Sequence, residues 1–265
     1  MGYDSFNFAE ISLGKLAYHD TGAGEPLVMH HGGEGTKGQY SIFVPYLGEG
    51  IWAISYDQRD VADSFVSPGP YTMADLADDC VQLLDALGIE KAHVMGISYG
   101  GALALNVAVR HPDRVQTLIA GAAPVTFAAG PEFREKLLSL APAERAEALL
   151  KAAISDEGQR DADMMALARK LISGSYMGPG SHRMRAMASH DVSESLGSVS
   201  APTLLIFGGE DPLVPPENGE QLATGIANSE LVVIEGARHG LASEFRERVA
   251  HLVSDFVLAH PISGS

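Results

Sequence analysis

The sequence predicts an α/β protein: one mostly parallel β-sheet covered by helices on both faces, with a helical block inserted between two strands. Short apolar segments alternate with helical patterns through most of the 265 residues, as parallel strands joined by helices require. An apolar content of 46% is enough for a full core in a chain of this length. Between residues 126 and 198 the patterns are helical only. We therefore expect a core domain of residues 1–125 and 199–265, with residues 126–198 as a helical cap over the carboxyl edge of the sheet.

Each element is predicted from its periodicity and its flanking residues. Eight segments have the length and composition of strands: Phe6–Ile11, Lys15–His19, Leu27–His30, Trp52–Tyr56, Ala92–Ile97, Val115–Gly121, Thr203–Gly208 and Leu231–Ile234. Four stretches of the core have helical spacing: Met73–Leu87, Tyr99–Arg110, Pro216–Ile226 and Leu241–Ala259. Ser12, Leu13 and Gly14 predict a hairpin, so this edge of the sheet should be antiparallel. The expected cap has helical spacing at 131–140, 142–154 and 162–172, followed by a loop with Gly174, Gly178, Pro179 and Gly180.

Composition excludes several classes of protein. The formal charge of −16 argues against binding to nucleic acid or to an anionic membrane, because both need clustered Lys and Arg. No apolar run approaches the length of a membrane span, and the first ten residues lack the features of a secretion signal. Cys80 is the one cysteine, so no disulfide can form within the chain. We therefore expect a cytoplasmic protein.

The pentapeptide Gly96-Ile97-Ser98-Tyr99-Gly100 is the strongest chemical signal in the sequence. It follows the apolar run 92–95 and precedes a helical pattern, so it lies on a strand-to-helix turn. A serine in such a Gly-x-Ser-x-Gly turn projects its hydroxyl above the carboxyl edge of the sheet, where a base can reach it. Ser98 is therefore the predicted nucleophile.

A serine nucleophile needs a base, and the base needs an acid that orients it. Asp211 is the third residue after the predicted strand Thr203–Gly208, in a proline-rich loop, and Glu210 next to it is the alternative. His239 follows the last predicted strand. The chain order Ser98, Asp211, His239 and their positions at strand ends match a known catalytic arrangement. Backbone N–H groups must also bind the oxyanion of acyl transfer, and we expect these from Tyr99 and from Gly33, in the loop after an early strand.

These residues resemble the α/β-hydrolase superfamily over essentially the whole chain. The resemblance rests on His31-Gly32-Gly33, on Tyr56-Asp57-Gln58-Arg59, on the Ser98 pentapeptide, on Gly208 to Pro215 and on Gly236 to His239. It implies an acyl-enzyme on Ser98, with His239 as base and Asp211 as its orienting acid, and no cofactor or metal. It also implies a structural role for His31 in holding the oxyanion loop.

One segment departs from the family. Its members commonly have Arg-Gly-x-Gly-x-Ser where this chain has Arg59-Asp60-Val61-Ala62-Asp63-Ser64. Since both glycines are replaced, we expect a loop conformation that suits residues with side chains. The departure also adds two carboxylates near the carboxyl edge of the sheet.

Four residues are candidate substrate contacts: Glu34, Tyr176, Met177 and His182. Glu34 lies in the oxyanion loop, where an acid could face a cationic substrate group; the alternative is a solvated loop acid. Five of the nine methionines lie between Met164 and Met187, and this cluster is expected either to form a pliable pocket or to pack the cap against the core.

The leading functional hypothesis is a serine hydrolase of small, fairly apolar carboxylic esters or lactones, acting as a monomer or homodimer. Three alternatives stay open. The first is an aminopeptidase similar to the proline iminopeptidases, the second is a hydrolase of C–C bonds in diketones, and the third is a ligand receptor with this fold and little turnover. No histidine or cysteine spacing in the sequence is typical of a metal site, so neither metal nor cofactor is expected.

Overall fold

The computed structural model describes residues 6–127, 139–171, 176–178 and 180–262. Within these ranges an eight-stranded sheet forms the centre of the molecule, in the order β1-β2-β4-β3-β5-β6-β7-β8. Its strands are β1 (Asn7–Ile11), β2 (Gly14–Asp20), β3 (Glu25–His30), β4 (Ile51–Tyr56), β5 (Ala92–Ile97), β6 (Val115–Gly121), β7 (Thr203–Gly208) and β8 (Ser229–Ile234). Each lies where the sequence predicts a strand.

The sheet is parallel from β4 to β8 and antiparallel at one edge. β2 pairs antiparallel with both β1 and β4, which confirms the predicted hairpin and the antiparallel edge. The strands that follow pair in parallel, with Met29 beside Met95 and Gly96 beside Ala120. Strands β3, β5 and β7 are fully buried or nearly so, as expected of parallel strands covered on both faces.

Seven α-helices flank the sheet or lie in the insertion: α1 (Met73–Ala86), α2 (Tyr99–Arg110), α3 (Pro142–Ala153), α4 (Ala162–Leu171), α5 (His182–Ala188), α6 (Glu217–Gly225) and α7 (Arg246–Ala259), counted over the described residues. Helices α1 and α2 pack against each other, and α2 lies against β5 and β6. Helix α7 packs against β3, β4 and β7 together with the short turn Val44–Tyr46. Helix α1 begins with a capping box, in which Thr72 and Asp75 satisfy each other's backbone N–H groups.

The last helix begins later than predicted. Residues 241–245 form turns instead, because the carbonyl of Gly240 accepts from the backbone N–H groups of both Ser243 and Glu244. The helical spacing of this stretch has another cause: Leu241 and Ala242 are buried and line a cavity.

The regular elements described between β6 and β7 are all helices, apart from one isolated bridge between Thr126 and Asp191. Helices α3 and α4 lie where helical spacing predicts them, whereas most of 131–140 falls outside the described residues, as do Gly174 and Pro179. The sequence did not predict α5. With seven residues, it spans two turns, which is too short for a periodic pattern to identify.

Candidate active site

Ser98 lies on the tight turn between β5 and α2, with φ of 60° and ψ of −121°. Residues with a side chain rarely adopt this conformation, and such strain is typical of a nucleophile on a strand-to-helix turn. Close contacts require the two glycines of the motif: a Cβ at Gly96 would overlap the carbonyl of Gly100, and a Cβ at Gly100 would overlap the carbonyl of His30. The N–H of Ser98 donates to Gly121 on β6 over 2.9 Å, which holds the turn against the sheet.

Asp211 and His239 form a hydrogen-bonded pair at the ends of β7 and β8. The Nδ1 of His239 lies 2.7 Å from Oδ2 of Asp211. The other oxygen of Asp211 accepts from the backbone N–H groups of Leu213 and Val214, at 2.8 and 3.0 Å. The carboxylate side chain is fully buried and can only accept hydrogen bonds when ionised, so the proton of neutral His239 lies on Nδ1. Its Nε2 is then left as the basic nitrogen.

The structure brings the predicted residues to one place. Ser98 and His239 both line a cavity of about 250 Å³, and Asp211 lies behind His239. Gly33 lines the same cavity. Tyr99 is the first residue of α2, and the first N–H groups of a helix have no acceptor within that helix. Ser98, His239 and Gly33 therefore lie around one space, with Asp211 behind His239 and Tyr99 next to Ser98 in the chain.

The oxyanion loop, residues 32–34, is held by side chains of the core. Gly32 donates its N–H to Gln39 Oε1 over 2.9 Å, and its carbonyl accepts from Nδ1 of His31 over 2.8 Å. Nε2 of His31 accepts from the N–H of Gln58 at 3.2 Å, so His31 is the neutral tautomer with its proton on Nδ1. Burial first, and the nearby charge of Arg183 second, hold the pKa of His31 well below its usual value. The histidine supports the loop, as the family resemblance implies.

Arg183 on α5 is a site residue that sequence reasoning missed. It is 1% exposed, and Nη2 donates to the carbonyl of Gly33 over 3.1 Å. Its Nη1 donates to Oε1 of Gln58 over 3.0 Å, and the guanidinium lies 4.4 Å from the centre of the Tyr99 ring. These partners are 84 or more positions away, so no local pattern in the sequence could have identified Arg183.

The four candidate substrate contacts lie in different surroundings. Glu34 and Met177 line the cavity, and Oε2 of Glu34 accepts from the backbone N–H groups of Tyr176 and Met177, at 2.7 and 3.4 Å. Tyr176 is half-buried and is not part of the cavity wall. His182 points elsewhere: its Nδ1 lies 3.3 Å from Asp60, and its ring packs edge-on against Tyr71. The structure therefore places Glu34 and Met177 at the cavity, but not Tyr176 or His182.

The expectation for the Asp60 loop is wrong. Asp60 and Ala62 replace the two family glycines, yet they keep positive φ angles of 64° and 42°. Hydrogen bonds from the loop's neighbours hold this conformation: the N–H of Ser67 donates to the Asp60 carboxylate over 2.6 Å, and the N–H of Asp60 donates to Phe65 over 3.0 Å. Asp63 pairs with Lys37. The added carboxylates are thus both bound within the protein.

The cavity walls are mainly apolar. The core contributes Ile97, Leu213, Val214 and Leu241, and the insertion contributes Phe127, Leu149, Met177, Met184 and Met187. Of the clustered methionines, three therefore face the cavity, whereas Met165 is buried between α3 and α4. Among the described lining residues, Arg145 is the one with a positive side chain. Its Nε is buried without a described hydrogen-bond partner, and Nη2 donates to Leu140 over 3.2 Å.

Over the same described ranges, no group of three His, Cys, Asp or Glu side chains is arranged to hold a metal ion. None of the described helices has both the length and the apolar character needed to cross a membrane.

Comparison with known proteins identifies the family of this chain. Residues 25–178 match the family model described as alpha/beta hydrolase fold, and residues 182–261 match the model described as TAP-like protein. The match to the first model covers more than half of the chain, which therefore belongs to the α/β-hydrolase superfamily.

Three relatives indicate the range of chemistry among similar proteins. The chain is 30% identical over 275 residues to a 2-hydroxy-6-oxo-6-phenylhexa-2,4-dienoate hydrolase of Comamonas testosteroni, covering 94% of this chain and 95% of that protein. It is 30% identical over 256 residues to a 2-hydroxymuconate semialdehyde hydrolase of Pseudomonas sp. strain CF600, covering 90% and 89%. A thermophilic esterase from Thermogutta terrifontis has a similar structure, with a TM-score of 0.84, 26% identity and coverage of 97% and 100%.

Proposed function

We propose that this protein is a serine hydrolase that cleaves small, mostly apolar carboxylic esters or lactones through an acyl-enzyme on Ser98. The observation that carries the proposal is the hydrogen bond between His239 and the buried Asp211, in a cavity that Ser98 also lines. The esterase from Thermogutta terrifontis supports the same reaction class.

This arrangement supports the following reaction. Ser98 Oγ attacks the carbonyl carbon while Nε2 of His239 takes its proton, and Asp211 stabilises the imidazolium that forms. The carbonyl oxygen gains negative charge and is bound by the N–H groups of Gly33 and Tyr99. His239 then returns the proton to the leaving alkoxide, which departs as the alcohol. Water, deprotonated by the same histidine, attacks the acyl carbon; its bond to Ser98 Oγ breaks, His239 returns the proton to Oγ, and the acid is released.

The cavity supports a small, apolar substrate. A volume of about 250 Å³ lies just below the usual range of ligand sites, and the walls of the cavity are mostly aliphatic and methionine side chains. Since Phe127, Leu149 and Met184 of residues 126–198 form part of these walls, we infer that this insertion acts as a cap that selects the substrate.

The first test is pre-steady-state hydrolysis of p-nitrophenyl acetate, butyrate and octanoate. Wild type should release a burst of p-nitrophenol followed by steady turnover, and Ser98→Ala should lose both. Ser243 lines the same cavity, so Ser243→Ala is the matched control and should keep both. Activity of Ser98→Ala above a tenth of wild type would contradict the nucleophile assignment. Stoichiometric release without turnover would favour the receptor.

Hydrolysis of a C–C bond in an acidic oxo compound is the second candidate. It is favoured by the two hydrolases at 30% identity, whose names specify a dienoate and a muconate semialdehyde. The observation on this chain is Arg145, the one cation among the described residues of a mainly apolar wall, whose buried Nε has no described hydrogen-bond partner. A guanidinium in such a place can bind a substrate carboxylate.

Comparing an acidic dienoate with neutral esters as substrates distinguishes C–C hydrolysis from ester hydrolysis. Turnover of 2-hydroxy-6-oxo-6-phenylhexa-2,4-dienoate at a higher kcat/KM than any neutral ester would favour C–C hydrolysis. In that case Arg145→Met should raise KM for the dienoate about tenfold or more, while neutral esters are unaffected. Arg169 is exposed on α4, so Arg169→Met is the control for loss of charge alone. No turnover of the dienoate would exclude this candidate.

A further inference from the structure

We propose that Arg183 is a positioning residue of the oxyanion hole, which orients and polarises the peptide groups of the oxyanion loop and packs on the Tyr99 ring at the start of α2. The inference rests on the proposed function, since it assigns a role within the same site. It goes beyond that function because it assigns a residue of the insertion, on α5, to the support of the oxyanion hole.

One side chain contacts both residues that are expected to bind the oxyanion. Nη2 of Arg183 donates to the carbonyl of Gly33 at 3.1 Å and lies 3.5 Å from that of Gly32. Its guanidinium lies over the ring of Tyr99, 4.4 Å from the centroid. The two backbone donors come from separate parts of the core, and Arg183 connects them from the insertion.

Hydrogen bonds to the carbonyl of Gly32 make the N–H of Gly33 a stronger donor. The carbonyl of Gly32 and the N–H of Gly33 belong to one peptide group. That carbonyl accepts from His31 at 2.8 Å and from the N–H of Gly35 at 3.2 Å, besides its longer contact with Arg183. Because hydrogen bonds in a chain polarise one another, each donor to this carbonyl makes the Gly33 N–H a stronger donor to the oxyanion.

Within the described part of the chain, no ion-pair partner neutralises the charge of Arg183. The described residues place no carboxylate within ion-pair distance of it, and its Nε is buried without a hydrogen bond. The neighbouring acid, Asp60, is bound to Ser67 and His182 instead. A buried charge without a counter-ion is costly in the resting protein. It becomes favourable when negative charge develops nearby, as it does in the tetrahedral intermediate.

A second contact ties the oxyanion loop to the same part of the insertion. The carboxylate of Glu34 accepts from the N–H groups of Tyr176 and Met177, at 2.7 and 3.4 Å. The loop is therefore bound at two points: Glu34 binds the segment just before α5, and Arg183 within α5 binds the carbonyl of Gly33. Movement of this segment would displace Gly33 from its place in the cavity wall.

The test compares Arg183→Met with wild type in ester hydrolysis and in binding of butylboronic acid. Ser98 Oγ adds to the boron, its proton passes to His239 and no bond to boron is broken, so the adduct is a tetrahedral anion like the intermediate. Arg183→Met should lower kcat roughly 10²-fold, as loss of an oxyanion donor does, and weaken boronate binding by a similar factor. KM and the inhibition constant of 1-pentanol, a neutral ligand, should change less than about threefold.

Two variants separate positioning from simple stabilisation. Arg183→Lys keeps the positive charge but lacks the planar guanidinium, so its kcat should lie between those of Arg183→Met and wild type. If Arg183→Met is poorly folded, Arg183→Lys still tests the role of the guanidinium. Arg185→Met removes an exposed arginine from the same helix and should leave kcat, boronate binding and KM unchanged. A stability change that lowers the amount of folded protein would reduce the binding of both ligands alike.

The outcomes also distinguish this inference from the proposed function. Wild type that neither turns over esters nor binds the boronate through Ser98 would overturn both. If wild type turns over esters and binds the boronate through Ser98, and a folded Arg183→Met has the same kcat as wild type, the role of Arg183 alone is overturned. Equal losses of boronate and pentanol binding would also overturn it, because the residue would then act on the ground state.

Discussion

Replacing Ala62 with glycine should stabilise this protein. Ala62 has a φ of 42°, in the left-handed region, where a Cβ is unfavourable. This conformation costs an L-residue roughly 1–2 kcal/mol, and glycine avoids that cost. Glycine also gives the unfolded chain more freedom, which offsets roughly 0.5–1 kcal/mol. Since Ala62 is exposed, the change removes no core packing, and we expect a net gain of about 0.5–1 kcal/mol in the free energy of unfolding.

The measurement is urea unfolding followed by circular dichroism, together with a thermal melt. A gain of this size corresponds to a rise in Tm of roughly 1–3 °C for a domain of this length. The matched control is Ala146→Gly, at an exposed position inside α3, which should lose roughly 1 kcal/mol. If Ala62→Gly loses as much stability as Ala146→Gly, the strain argument is wrong.

Asp60→Gly provides an internal comparison, because Asp60 has the same type of φ, at 64°, but also uses its side chain. Its carboxylate accepts from the N–H of Ser67 at 2.6 Å and lies 3.3 Å from His182. Loss of these contacts should cancel the relief of strain. We therefore expect Asp60→Gly to be less stable than Ala62→Gly, and a larger gain at Asp60 would contradict the roles given to its contacts.

Three further outcomes are expected. Asp211→Asn should lower kcat by about 10⁴-fold while the protein stays folded, because the amide cannot hold the same His239 tautomer; a mild loss would point to Glu210. Burial lowers the pKa of His30 to about 3, so the unfolded chain binds more protons between about pH 6.5 and 3, and stability falls as the pH drops through that window. His30→Leu should make the pH dependence of the unfolding free energy shallower between pH 6 and 4, and an unchanged slope would contradict this. Glu34→Gln should lower kcat less than Arg183→Met does, because an amide oxygen still accepts from the N–H groups of Tyr176 and Met177; the same ester assay measures both.

Local sequence was sufficient for the residues that stand at strand ends. Ser98, Asp211 and His239 each follow an apolar strand, and the carboxyl ends of parallel strands meet at one edge of a sheet. The placement of Ser98 and His239 around one cavity, with Asp211 behind His239, therefore follows from strand order and from the turn that the glycines beside Ser98 allow. The antiparallel edge was predictable for the same reason, since a two-residue turn constrains its strands.

Sequence reasoning failed where distant contacts override local preference. The replacement of two glycines by Asp60 and Ala62 indicated a different backbone, but hydrogen bonds from Ser67 and to Phe65 hold the loop in its glycine-type conformation. Leu241 begins a helical pattern, yet its burial in the cavity wall accounts for that pattern.

Short-range patterns in the sequence are sufficient to predict the fold class and the residues expected to carry the chemistry, because both depend on apolar periodicity, turn residues and a motif at a strand end. The surroundings of these residues depend instead on contacts made in the folded chain. Arg183 meets Gly33 across 150 positions, and Arg145 lies in the wall of a cavity whose floor comes from the core. The role of a buried cation depends on which groups contact it and on whether a carboxylate is among them. Packing between distant segments of the chain decides both.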